Sequence, residues 1–280
     1  MSTNSMTETS RKDADFKVAV NRDDRAEYRE IKAREMEEMQ AMKDSINEST
    51  DPAIRYTWRR AVTDIKNILE TSAELYGDKP LFLQKFDKNK PFQEISYSKV
   101  LADVNALGTA LIELGLKGKH IGVIGKNCYE WAESYLAVVG GTGVVVPLDK
   151  ELNEDELSQL TASGELSAVI TMDKHYDIFK RIKERDDNNL KFVINAGMHN
   201  HEKADKGLLS WHKLREHGYE LVEAGDRNFI DAEIINTDMA IILFTSGTTG
   251  TSKGVMLNNK NICSNVMVAQ TFLNIEVGDV

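Results

Sequence analysis

The chain has 280 residues, 41% of them hydrophobic, and a formal net charge of −10. A chain of this length can bury a large core, in one large domain or two small ones, and is not disordered as a whole. The negative charge, without a Lys/Arg-rich cluster interleaved with aromatics, argues against nucleic-acid binding. Its cysteines, Cys128 and Cys263, provide neither a disulfide framework nor a metal-ligand spacing, and they fit a reducing cytoplasm.

Residues 1–52 differ from the rest because they are dense in charges of both signs and poor in large apolar side chains. Met36, Met39, Met42 and Ile46 recur at helical spacing, so we predict a charged N-terminal arm that is helical or disordered. A membrane-surface helix is the alternative, and the acid-rich composition argues against it. The chain has no secretory signal and no apolar run long enough to span a bilayer, which predicts a cytoplasmic protein.

From residue 53 onward the pattern is that of a globular α/β domain. We predict a helix over Ile65–Tyr76, a hairpin of residues 81–86 and 92–97, and an amphipathic helix ending near Gly115. Strand and helix patterns then alternate over residues 120–197, which predicts a mostly parallel sheet flanked by helices. Asn153, with Glu156 three residues later, marks a helix start. A helix over residues 209–217, a strand over 239–244 and a helix over 259–273 complete the prediction.

The most informative segment is residues 241–257, IILFTSGTTGTSKGVML, in which an apolar strand leads into a loop of Thr, Ser, Gly and Lys. Its glycines, Gly247, Gly250 and Gly254, let backbone amides turn toward an anion. The hydroxyls can donate to phosphate oxygens, and Lys253 adds a positive charge on a long stem. The spacing matches neither a Walker A loop nor a nucleophile elbow. The segment therefore predicts a phosphate-binding loop, with a flexible linker as the alternative.

The pattern TSGTTGxxKG resembles the phosphate loop of the AMP-forming acyl-adenylate synthetases, which include acyl-CoA synthetases, firefly luciferase and peptide-synthetase adenylation domains. This chain has Ser252 where that family commonly has Pro, and Asn259 where it often has His. Asn127, Glu130 and Trp131 match an Asn-x-x-Glu-Trp pattern typical of long-chain fatty acyl-CoA synthetases. The resemblance implies that residues 53–280 form an incomplete N-terminal AMP-binding domain of this fold.

The resemblance also implies a reaction. ATP and a long-chain fatty acid would give acyl-AMP and pyrophosphate, and coenzyme A would then give acyl-CoA and AMP. The ATP phosphates would be held by one set of loop residues: Thr245, Ser246, Gly247, Thr248, Thr249, Gly250, Thr251 and Lys253. Thr245 would also approach Mg²⁺. Peripheral membrane association is compatible with this activity, and the oligomeric state stays open.

No catalytic residue is assigned, because the family's adenine, ribose, hinge and C-terminal-domain Lys motifs follow the phosphate loop and do not occur before Val280. We therefore expect a partial sequence that is inactive by itself and exposes apolar surface. Two alternatives stay open. One is a non-catalytic nucleotide-binding or interaction module, and the other is an adenylating enzyme for an aryl or amino acid.

Other candidate positions have simpler interpretations. His199 and His201 have a metal-ligand spacing but polar neighbours, so an exposed loop is favoured. Asp149 and Glu151 follow a strand, where capping or solvated turn charges are favoured over a ligand site. We interpret Trp131 as part of a helix face that packs on the sheet.

Overall fold

The computed structural model describes residues 62–87, 89–197, 207–245 and 252–269, together with five residues between positions 30 and 41. The chain divides into two compact units, Met1–Asp51 and Pro52–Val280. The five described residues of the first unit are helical and exposed. Met36, Met39, Met42 and Ile46, on which the predicted arm helix depends, lie outside the described residues. All further description concerns the second unit.

The second unit begins with a helix and a hairpin that confirm the sequence prediction. Helix α1 (Ile65–Tyr76) starts where the Asp64 side chain accepts a hydrogen bond from the Asn67 amide, as an N-cap residue does. Strands β1 (Pro80–Gln84) and β2 (Gln93–Ser96) then pair antiparallel as a separate two-stranded sheet. Helix α2 (Tyr97–Glu113) follows directly, with Ser96 as its N-cap.

A seven-stranded sheet forms the centre of the domain, in the order β7-β6-β5-β3-β4-β8-β9. Its strands are β3 (His120–Ile124), β4 (Val144–Leu148), β5 (Leu166–Thr171), β6 (Phe192–Asn195), β7 (Leu208–Ser210), β8 (Met239–Thr245) and β9 (Lys253–Asn258). Each neighbouring pair is parallel except β8 with β9. The predicted α/β class with a mostly parallel sheet is confirmed.

Helices cover both faces of this sheet because its strands bury apolar side chains on both sides. The intervening helices are α3 (Tyr129–Ala137), α4 (Glu154–Ser163), α5 (Tyr176–Lys183) and α6 (Trp211–Glu223), and α7 (Asn259–Ala269) follows β9. One apolar cluster joins Val123 of β3 to α1, α2, α3 and α6, and the other joins the next residue, Ile124, to α4 and α5. Val123 and Ile124 contact different clusters because successive side chains of a strand point to opposite faces of the sheet.

Local signals set several boundaries. Asn153 and Glu156 form a complete capping box at the start of α4, as predicted. Between α3 and β4 the chain makes a π-helical turn, Val138–Thr142, in which Gly141 has φ of 145°. Residues that carry a side chain rarely adopt this backbone φ, which accounts for the glycine at this position. Of the helices in the described part of the chain, none has the length and hydropathy needed to cross a bilayer.

The sequence prediction was wrong at two strands. The short strand β7 occupies residues that we assigned to a helix beginning at 209, and α6 starts at Trp211 and continues to Glu223. The strand β9 was missed because its sequence, KGVMLN, joins the loop without a turn signal between them. It pairs antiparallel to β8, so the predicted loop is the connection of a hairpin rather than a strand-to-helix turn.

Candidate functional site

The predicted phosphate loop connects β8 to β9. Thr245, the last residue of β8, is paired with Lys253, the first residue of β9. Thr245 Oγ1 lies 3.4 Å from the carbonyl oxygen of Lys253, which it can reach as a hydrogen-bond donor. The remaining predicted residues lie outside the described part of the chain: Ser246, Gly247, Thr248, Thr249, Gly250 and Thr251. The structure therefore defines the two ends of the loop.

Both ends of the loop are accessible. Thr245, Ser252 and Lys253 are all exposed. Within the described residues, the Lys253 side chain has no ion pair or hydrogen bond. Strand β8 runs parallel to β4, so the loop leaves the sheet at the edge where the parallel strands have their carboxyl ends. Ligands of α/β proteins bind at that edge, and a free ammonium group there can interact with an anion.

Of the secondary candidates, Asp149, Glu151 and Trp131 lie in the described part of the chain. His199 and His201 lie outside the described residues. The Asp149 side chain accepts a hydrogen bond from the Glu151 amide at 3.0 Å, and Glu151 is 3.8 Å from Lys150, as in a solvated turn. In the described ranges no group of three His, Cys, Asp or Glu residues could hold a metal ion. Trp131 packs against the core and stacks on Tyr135 at 5.4 Å, which confirms its packing role.

A cavity of about 810 Å³ lies at the carboxyl ends of the parallel strands, and we call it the carboxyl-edge cavity. Lys126 follows β3, Met172 follows β5 and Ala196 follows β6, and all three line it. The β1–β2 hairpin closes another side through Gln84 and Ile95. Its lining residues are far apart in the sequence, so local pattern analysis missed the cavity.

Charged side chains lie in the wall of the carboxyl-edge cavity, where α2, α3 and α6 meet. Asp103 is buried and accepts hydrogen bonds from the hydroxyls of Tyr129 and Tyr219 at 2.7 and 2.6 Å. Lys99 Nζ lies 2.5 Å from the same carboxylate. Arg215 Nη1 donates to Glu133 at 3.0 Å and lies 3.6 Å from Asp103. The three helices are therefore joined by a polar network within an otherwise apolar interface.

The network shifts the acid–base properties of its members. Burial raises the pKa of Glu133 to about 8, although Arg215 and Lys99 act in the opposite direction. Burial also raises the pKa of Tyr129 and of Tyr219, and the nearby carboxylates add to both shifts. At the cavity wall, burial raises the pKa of the Cys128 thiol to about 11, with the Glu130 carboxylate contributing. Cys128 is therefore a protonated thiol at neutral pH.

A protein-family model described as AMP-binding enzyme matches residues 69–280. A long-chain-fatty-acid–CoA ligase 5 of Rattus norvegicus is 32% identical over 197 residues, which cover 66% of this chain and 28% of the rat protein. A chloroplastic long-chain-fatty-acid–[acyl-carrier-protein] ligase of Arabidopsis thaliana is 26% identical over 262 residues, covering 89% of this chain and 35% of that protein. The chain thus spans about a third of the length of these relatives.

Solved structures share the fold. A crystal structure of a long-chain-fatty-acid–CoA ligase from Archaeoglobus fulgidus superposes with a TM-score of 0.62 at 22% identity. The match covers 77% of this chain and 41% of that one. At this identity the likeness establishes the architecture alone, namely that of a partial domain of the same α/β fold.

Proposed function

Because the chain belongs to the AMP-binding enzyme family, we propose that it holds the phosphates of ATP during activation of a long-chain fatty acid. In this proposal the fatty carboxylate attacks the α-phosphate, giving acyl-AMP and pyrophosphate, and coenzyme A then displaces AMP. Residues 53–280 act as the AMP-binding domain, and residues 1–52 form a charged arm. The names of the rat and Arabidopsis relatives support a long-chain fatty acid as the substrate.

The observation that carries the proposal is the pair Thr245 and Lys253 at the two ends of the loop. Lys253 is exposed and has no partner within the described residues, so its charge is available to a phosphate. In the proposed reaction it neutralises charge on the departing pyrophosphate, and the Gly and Thr residues of the loop donate hydrogen bonds to phosphate oxygens. Catalysis then depends on positioning and on charge stabilisation.

The described residues fit ATP better than they fit a resident metal ion. Thr245 offers one neutral oxygen, whereas Mg²⁺ in proteins is usually held by one or two carboxylates together with substrate phosphates and water. No cluster of acidic or other ligating residues supplements Thr245 in the part of the chain that the structure describes. The contact of Thr245 with Mg²⁺ stays a proposal, in which the ion, bound to ATP, would polarise the phosphate.

The phosphate-binding role is tested by measuring the affinity of the chain for ATP and for pyrophosphate by calorimetry. Lys253→Ala should weaken both about tenfold or more, because it removes a charge-assisted contact. Lys260→Ala removes another exposed lysine, on α7, and should leave both affinities unchanged. Equal losses in the two variants would show that the loop has no specific phosphate site.

The reaction itself is tested by exchange of labelled pyrophosphate into ATP in the presence of palmitate, 4-coumarate or an amino acid. Exchange that depends on palmitate supports the fatty-acid ligase. Exchange that depends on one of the other acids supports the aryl or amino-acid alternative. Because we expect this chain to be inactive by itself, the assay uses its full reading frame, and ATP binding without exchange by any acid there would favour a non-catalytic nucleotide-binding module.

A further inference from the structure

The acidic groups of the carboxyl-edge cavity are already engaged. The two carboxylate oxygens of Asp103 accept hydrogen bonds from two tyrosine hydroxyls, and one of them also pairs with the ammonium group of Lys99. Glu130 accepts a hydrogen bond from the amide nitrogen of Gln84 at 3.0 Å. Glu94, exposed at the rim, is the exception, since it has no partner among the described residues. The interior of the cavity therefore has little carboxylate left for a cationic ligand.

Several hydrogen-bond donors of the same cavity are uncommitted. Arg215 uses only Nη1 in its bonds to Glu133 and Asp103, so Nη2 and Nε have no partner within the described residues. The side chains of Lys126 and Asn127 are exposed, and they too have no hydrogen-bond partner among the described residues. The planar guanidinium is suited to bidentate contact with a carboxylate or phosphate.

Two helices begin at the cavity wall. Helix α3 starts at Tyr129, whose amide donates to the side-chain oxygen of Gln84, and its N-cap residue, Cys128, makes no capping hydrogen bond through its side chain. Helix α6 starts at Trp211 on another wall, with its first turn contributing His212. The positive ends of both helix dipoles therefore add to the attraction of an anion.

The remaining walls are apolar and come from Phe86, Ile95, Met172 and Trp211. The volume falls within the range of small-molecule sites. We propose that the carboxyl-edge cavity binds a small organic molecule that carries a carboxylate or phosphate on an apolar body. None of its lining residues belongs to β8 or β9. The site is therefore separate from the two described ends of the phosphate loop, and it does not depend on the proposed function.

Benzoate, phenyl phosphate and the neutral analogue benzyl alcohol are suitable probes. We expect calorimetry to show binding of one or both anions with a dissociation constant of about 1 mM or below, and binding of the alcohol at least about tenfold weaker. The stronger of the two anions identifies the head group. Occupancy should slow alkylation of the half-buried Cys128 by iodoacetamide, which is followed at alkaline pH because burial raises the pKa of this thiol. Binding of neither anion, or binding that leaves Cys128 equally reactive, would overturn the proposal.

Two lysines at opposite ends of β3 give a matched pair of variants. Lys126 follows the strand at the cavity, whereas Lys119 precedes it at the other edge of the sheet, and both are exposed. Lys126→Glu should weaken anion binding about tenfold, and Lys119→Glu should change it by less than about twofold. Equal effects would mean that the anions respond only to overall charge, which would contradict a site in the cavity.

Discussion

Arg215 of α6 donates a hydrogen bond from Nη1 to Oε2 of Glu133 in α3 at 3.0 Å, and the Glu133 side chain has no exposed surface. Its other carboxylate oxygen has no hydrogen-bond partner among the residues that the structure describes. A buried charge with one unsatisfied oxygen is costly, so burial outweighs the attraction of Arg215 and the pKa of Glu133 rises to about 8. Protonation of this group is thus linked to folding.

Glu133→Gln should change how stability depends on pH. In the wild type the folded chain keeps a proton on Glu133 that the unfolded chain loses above pH 4.5, so this group lowers the free energy of unfolding as pH rises from 4.5 to about 8. The slope is about 1.4 kcal/mol for each pH unit. Glutamine does not titrate, so the variant should gain stability relative to the wild type across this window.

The free energy of unfolding of both proteins is measured by urea unfolding at several pH values. The difference between variant and wild type is compared, because the contributions of other titrating groups cancel in it. Glu223→Gln, at the exposed end of α6, serves as a control that should show no such trend. A variant that loses stability relative to the wild type as pH rises would contradict the raised pKa.

Lys66 connects α1 to the segment that precedes β8. Its ammonium group donates to the carbonyl oxygens of Phe229, Ile230 and Ala232, each at 2.9 Å. Lys66→Met keeps the apolar stem and leaves these carbonyls without their donor, which should cost about 2 kcal/mol or more. For a domain of this size each kcal/mol lowers Tm by about 2–4 °C. Thermal unfolding measures the change. Lys90→Met, at an exposed position in the β1–β2 turn, should leave Tm unchanged.

The elements with regular periodicity were predictable from sequence. The bounds of α1 were predicted to the residue, and the capping residues Asn153 and Glu156 marked the start of α4 correctly. Each of these signals lies within a few neighbouring positions, where local propensity decides the structure. The parallel sheet followed from the alternation of strands and helices, because parallel neighbours need such crossovers.

The pairing of β9 and the carboxyl-edge cavity were not predictable in this way. Lys253 was correctly singled out as a candidate phosphate ligand, but nothing local shows that it begins a strand paired with Thr245. The network of Asp103, Glu133 and Arg215 joins positions more than 80 residues apart, and each residue alone matches an ordinary exposed helix position. Only the packing of three helices makes these charges buried partners.

Gly218 of α6 packs closely against the backbone of α2. A Cβ atom at this position would overlap the carbonyl oxygen of Ala106. Alanine is about 1 kcal/mol better than glycine in a helix, but backbone overlap forces the helices apart at a cost of about 1–3 kcal/mol or more. Gly218→Ala should therefore destabilise the chain, as measured by urea unfolding. Glu216→Ala, on the exposed side of the same helix, should be neutral. A stabilised Gly218→Ala variant would contradict this helix contact.

Several exposed apolar side chains of the described residues lie on β8, β9 and α7, and others lie on or near the β1–β2 hairpin. Met256 and Val255 of β9 are 61% and 44% exposed, and β9 is the last strand of the sheet in the described residues. Unpaired edge strands with apolar side chains promote association between chains. Met256→Lys should therefore reduce self-association, measured by sedimentation velocity at increasing protein concentration. Val268→Lys adds the same charge on the helix α7, where the side chain is 56% exposed. If the strand edge drives association, Met256→Lys should have the larger effect. Equal effects would mean that self-association depends only on the exposed apolar area.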